Sequence, residues 1–132
     1  GHESRHNLAY WERRPYEAVG PGAHAFDGAT RRWNAARLDA YVAALSPSDG
    51  DPSRLPPGGA EPIDEVAAAA ERVILGLRTS RGVPIGAAGR PPLADHFGWA
   101  LAAELVDVTP DDRIVLSTRG RLLSNELFAR LV

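Results

Sequence analysis

The sequence predicts an α+β fold. Three observations lead there. Residues 62–80 carry one long apolar stripe at helical spacing. Residues 105–117 alternate and turn as a β-hairpin does. A capped amphipathic segment, 119–131, then closes the chain. Helix, helix, hairpin, helix over 62–132 is the order of a small winged-helix-like unit with a β-hairpin.

The elements follow in chain order. "YEAV", 16–19, reads as a short strand ending at Gly20, and "AHAF", 23–26, as its continuation beyond a bend. Asp27-Gly28 supplies a turn. Asn34 is a suitable N-cap, and Leu38, Tyr41, Val42 and Leu45 recur at helical spacing, which predicts a helix over 35–45 stopped by Ser46-Pro47. "SPSDGDPSRLPPGGAEP" is rich in Pro, Gly and Ser and marks a linker over 46–61. Pro62 suits a first helical turn, and Asp64 and Glu65 complement its positive end. Val66, Ala70, Val73, Ile74 and Leu77 form the stripe. Gly76 within it costs about 1 kcal/mol relative to Ala, so close approach of another element is expected there. Gly82 is a left-handed terminator and Pro84 prevents resumption. A further helix starts after Pro92, with Leu93, Phe97, Ala100, Leu101 and Leu105 on one face. Thr109-Pro110-Asp111-Asp112 places Pro where a type I turn takes it. Ser117 or Thr118 caps the last helix, whose stripe is Leu123, Leu127, Phe128 and Leu131.

Composition narrows the chemistry. The net charge of -2 gives no field for nucleic acid or anionic membrane, and the last helix carries Glu126 beside Arg119, Arg121 and Arg130 while the preceding hairpin carries Asp107, Asp111 and Asp112, so no clustered positive charge results. A free-standing winged-helix protein- or DNA-binding module is the alternative reading, with nucleic acid disfavoured on that charge. All 15 basic residues are Arg, as compositional bias produces. With no Cys, disulfides, thiolate zinc sites, iron–sulfur ligation and Cys nucleophiles are excluded for this chain. No apolar run reaches the ~20 residues that span a bilayer, and no signal-peptide layout is present, so cytoplasmic is the expected location.

Two stretches near the N-terminus concentrate chemistry. "HNLAYW" offers His6, an imidazole suited to haem iron, zinc or copper, beside Asn7, a donor and acceptor, and the flat faces of Tyr10 and Trp11. That inventory suits a planar macrocycle with a metal centre, but on chemistry alone two core aromatics and a loop-holding His-Asn pair are the more ordinary use of these residues. "GPGAHA", Gly20 to Ala25, matches a dinucleotide fingerprint in letters only, because Pro21 removes a backbone donor and the chain turns at Asp27-Gly28 where a helix must open. Gly20, Gly22 and His24 read better as a bend where the backbone approaches a cofactor or a neighbouring loop. The acids at 61–65 are helix-start charges, and no catalytic carboxylate pair or Ser-His-Asp set emerges.

Taken together, "HNLAYW", "YEAVGPGAHAF", "RRWNAARLDAY", "ERVILGLRTSRGV" and "IVLSTRGRLLSNELFARLV" resemble oxygen-independent coproporphyrinogen III oxidase-like proteins of the radical S-adenosylmethionine superfamily, with His-Asn-x-x-Tyr-Trp typical of the HemW-type haem-chaperone branch. The resemblance implies a remnant of a β/α barrel over 1–45, a linker over 46–61 and the family's C-terminal helical domain over 62–132. It implies that His6, Asn7, Tyr10 and Trp11 serve haem or substrate, with His6 the candidate iron ligand. It implies that Gly20, Gly22 and His24 lie near the cofactor, and that Glu71, Leu75, Leu77 and Arg78 carry the domain's signature. The family's S-adenosylmethionine and 4Fe-4S cluster need a Cys-x-x-x-Cys-x-x-Cys motif, which this chain lacks. The expectation is therefore a C-terminal fragment of a haem-pathway protein, inactive as a radical enzyme and without a cofactor of its own. Its parent would handle haem or coproporphyrinogen III. Unpaired barrel edges would favour a homodimer.

Overall fold

The computed structural model describes residues 4–46, 58–89 and 93–131. In chain order the elements are α1 (Arg5–Trp11), β1 (His24–Phe26), β2 (Thr30–Trp33), α2 (Leu38–Leu45), β3 (Gly59–Pro62), α3 (Glu65–Leu77), β4 (Val83–Pro84), α4 (Ile85–Ala88), α5 (Leu93–Ala102), β5 (Val106–Val108), β6 (Arg113–Leu116), α6 (Thr118–Leu122) and α7 (Ser124–Phe128). This is an α+β chain. It divides into two compact units, one spanning Arg14–Ile63 and the other joining the residues up to Arg13 with those from Asp64 onward.

The Arg14–Ile63 unit is built on an antiparallel meander in the order β1-β2-β3. His24 opposes Trp33, and Trp33 in turn opposes Gly59. A Cβ on Gly59 would sit 2.4 Å from the Trp33 ring, so only glycine lets the indole lie flat across β3. The β1–β2 connection is an Asx turn: the Asp27 carboxylate accepts from the N–H groups of Ala29 (2.9 Å) and Thr30 (2.8 Å). Gly28 takes φ 110 within it. The strand expected over 16–19 shrinks to one bridge, Tyr16 with Phe26, because Ala18 and the residues after it bend toward Asn34. The 46–61 segment does not all lie between units: Gly59–Pro62 is strand, while 47–57 lie outside the described residues.

Asn34 does not cap α2. The helix begins at Leu38 after Arg37, which makes no side-chain cap, and Arg37 instead pairs with Asp39. Asn34 is buried and spends its amide on the carbonyls of Gly20 (2.9 Å) and Ala18 (3.3 Å). Buried polar atoms demand partners, and two otherwise orphaned carbonyls outweigh a cap that water could replace.

In the second unit α3 starts at Glu65, not at 62, because Asp64 is the N-cap, accepting from Val66 and Ala67 at 2.9 Å each, while Pro62 completes β3. Ala70, Val73 and Leu77 are the buried stripe, but Val66 in the first turn stays exposed. The expected approach at Gly76 is by Val83: a Cβ there would meet its methyl at 2.5 Å. Gly82 has φ 61, the left-handed geometry expected of a terminator.

The hairpin is present and has a third strand that periodicity missed. Val83–Pro84 adds to β6, giving the order β4-β6-β5. Two residues are too few to show alternation. Arg113 fixes this edge, donating to the carbonyls of Arg81 (2.7 Å) and Gly82 (3.0 Å). The last helix is broken at Leu123 into α6 and α7. The Ser117 hydroxyl accepts from Gly120 N–H (2.9 Å), so the predicted cap is real. Leu127, Phe128 and Leu131 are buried as expected, whereas Leu123, at the break, is exposed, as is Leu101 on α5. The core runs from Val73 and Leu77 through Val83, Phe97, Ala100, Leu105 and Ile114 to Leu127.

Candidate functional site

The helix α1 is the local device that presents His6, Asn7, Tyr10 and Trp11. Seven residues make a marginal helix alone, so its ends are fastened. The Ser4 hydroxyl accepts from the Asn7 N–H (3.3 Å), the expected N-cap interaction. At the other end Arg13 takes φ 53, donates to the Ala68 carbonyl (3.0 Å) and pairs with Glu71 at 3.0 Å. Both are largely buried, with 10% and 26% of their side chains exposed. Glu12 faces Arg81 at 3.8 Å. These contacts dock α1 on α3.

The helix then divides its motif between two faces. His6 and Tyr10, four residues apart, stack edge to face with ring centroids 4.9 Å apart, and both are exposed. Neither ring nitrogen of His6 has a hydrogen bond among the described residues. Asn7 is exposed, and Trp11 is half-buried. Trp11 lines an open cleft of about 230 Å³ together with Leu77, Leu116 and Phe128, with Arg78 and Arg121 among its walls. The Arg78 guanidinium lies 5.0 Å from the centre of the Phe128 ring.

Gly20, Gly22 and His24 belong to the other unit. Gly20 and Gly22 take φ 103 and φ 67, so the bend does need glycine. Its backbone is engaged inside the unit: Gly20 N–H donates to the Tyr41 hydroxyl (3.1 Å) and Gly22 N–H to the Ala35 carbonyl (2.9 Å). His24 is exposed on β1, its ring 6.0 Å from that of Trp33.

Sequence reasoning missed Arg13 and Arg121. Arg13 meets Ala68 across 55 positions, and no local pattern encodes that. Arg121 looked like one of several surface cations on the last helix; only the break at Leu123 and the fold of α3 bring it to Trp11. Among the described residues no group of three or more His, Asp or Glu side chains could hold a metal ion. A bare cation needs such a cage.

No protein-family model matches the chain, and no solved structure matches it. Curated relatives do. Two proteins named Heme chaperone HemW, from Mycobacterium tuberculosis strains CDC 1551 and H37Rv, are each 36% identical over 135 residues, covering 100% of this chain and 32% of their own length. Heme chaperone HemW of Bacillus subtilis strain 168 is 29% identical over 139 residues, covering 97% of this chain and 34% of its own. The chain thus spans about a third of the length of the curated relatives it matches. The similarity runs along the whole of this chain and matches a C-terminal part of those haem chaperones.

Proposed function

We propose that this chain is part of a haem-handling protein of the radical S-adenosylmethionine superfamily, a haem chaperone, and that α1 presents His6 as an axial ligand to haem iron. The observation that carries the reading is the placement of His6: exposed, braced by Tyr10, and unengaged at both ring nitrogens among the described residues, on a helix fastened at each end. A ligand held this way loses little freedom on binding. The names of the relatives support the same cargo.

In this reading the stretch from Asp64 onward, with its three-stranded sheet and the Ser117-capped α6, is a winged-helix-like domain of the longer protein. The meander of 14–63 finishes the barrel edge with antiparallel strands. Radical chemistry belongs to segments that carry cysteines, of which this chain has none, so the 132 residues are not a radical enzyme by themselves.

The test is a haem titration of the chain and of His6→Ala, followed by absorbance. The expected result is a shifted Soret band with the native chain, and with His6→Ala a band near that of free haem and affinity at least ~tenfold weaker. Equal shifts in both proteins remove His6 as the ligand.

A further inference from the structure

The open cleft beside α1 has a composition that a folded surface does not acquire by default. Half-buried Trp11 exposes aromatic surface to it, the buried side chains of Leu77, Leu116 and Phe128 form its floor, and Arg78 and Arg121 bring two guanidinium groups to it. Neither arginine has a carboxylate partner among the described residues, although Arg13, Arg31, Arg32, Arg37, Arg81 and Arg119 all do. An apolar recess flanked by two uncompensated guanidinium groups is complementary to a ligand with a flat apolar body and carboxylates at one edge. We infer that this cleft is a binding site for the carboxylate edge of a tetrapyrrole, with Trp11 against the ring and Arg78 and Arg121 on the two propionates. At about 230 Å³ it lies below the roughly 300–1,000 Å³ of sites that enclose a whole ligand, so it takes one edge and leaves the rest of the ring outside. This assignment rests on the haem reading above for the identity of the ligand, but not on His6 or on iron.

It also gives the motif a division of labour. Trp11 serves the cleft while His6, five positions earlier and roughly 7.5 Å along the same helix, serves the metal. Arg78, the signature residue that follows α3, then has a binding as well as a packing role.

Metal-free protoporphyrin IX, which carries the two carboxylates but no iron, isolates the cleft. Its dimethyl ester, in which both carboxylates are masked, is the control. Binding to the whole chain is followed by quenching of tryptophan fluorescence. Protoporphyrin IX is expected to bind at least ~tenfold more tightly than the ester, and the Arg78→Gln/Arg121→Gln pair to remove that preference. Because Arg78 also packs on Phe128, Arg121→Gln alone, at an exposed position, is the variant that leaves the packing intact; it is expected to lose about half of the preference on a logarithmic scale. Equal affinity for acid and ester, unchanged binding in the arginine variants, or no binding of protoporphyrin IX by the native chain would each overturn the cleft. The two assignments fail separately. A His6-dependent haem spectrum that the arginine substitutions leave untouched sinks the cleft and keeps the ligand. Arginine-dependent protoporphyrin binding without a His6-dependent haem spectrum does the reverse.

Discussion

At the residue scale the glycines separate into those that make room and those that do not. Gly120 in α6 lies so close to β5 that a Cβ would stand 1.7 Å from the Leu105 carbonyl oxygen. That neighbour is backbone, and its oxygen already accepts from Ser117 N–H at 3.1 Å, so it cannot give way without opening the start of the helix. Gly98 in α5 has no atom of the described residues within 4 Å of where a Cβ would stand and faces solvent. The two positions therefore predict opposite signs for one substitution. Gly120→Ala is expected to destabilise by ~1–3 kcal/mol through overpacking, and Gly98→Ala to stabilise by about 0.5–1 kcal/mol through the unfolded state. Urea unfolding of both variants checks this; the same sign for both would refute it. The sequence marks Gly76 as a place of close approach because it interrupts a strong stripe. It gives no such mark to Gly120, whose neighbour comes from a different element and whose own helix is too short to show a pattern.

At the element scale, the parts that local chemistry specifies were readable and the parts specified by a distant partner were not. Ser117, the Asp27-Gly28 turn and the Thr109–Asp112 hairpin turn stand where their side chains dictate, because each bonds within three or four residues of itself. Asn34 was read as a cap and is instead a buried clamp, since the two carbonyls it satisfies lie 14 and 16 positions away. The β4 strand and the break at Leu123 are tertiary in origin for the same reason. The Asp27 turn carries a pH dependence of known sign. The N–H groups of Ala29 and Thr30 hold the Asp27 carboxyl below the usual aspartate range, because they bond the charged form. A depressed folded-state value means the turn's contribution is fully present above the unfolded value and is lost as pH falls through the folded one. Asp27→Asn keeps an acceptor oxygen for the turn but cannot titrate. It is expected to flatten part of the acid limb of the stability profile by lowering stability slightly at neutral pH, where the charged form contributes, and leaving it nearly unchanged at low pH. An acid limb identical to that of the native chain would remove Asp27 from the account.

At the scale of the whole molecule, the chemistry of the site was legible as a list of residue types but not as an arrangement. The motif letters suggested an imidazole beside flat aromatic faces, and His6 and Tyr10 do stack. That Trp11 turns away from them toward Arg78 and Arg121 follows from α1 docking on α3, which depends on Arg13. Arg13 is thus the joint through which the first element is built into a unit whose remainder starts at Asp64. Its guanidinium meets Glu71 at 3.0 Å with only 10% of the Arg13 side chain exposed, a setting in which losing one partner strands a desolvated charge. Fully buried pairs cost about 3–5 kcal/mol to break; Glu71 retains a quarter of its exposure, so Glu71→Ala is expected to cost roughly 1–3 kcal/mol. A double-mutant cycle with Arg13→Ala should return a coupling of ~1–2 kcal/mol, because the second loss removes the stranded charge. Arg13→Lys should not restore the native value, since an ammonium does not match the bidentate reach to both Glu71 and the Ala68 carbonyl. The same variants move the site if the joint governs it: Arg13→Ala is expected to weaken protoporphyrin IX binding along with stability, as Trp11 loses its seat. A coupling energy near zero, with binding intact, would mean that α1 holds its place by apolar packing alone.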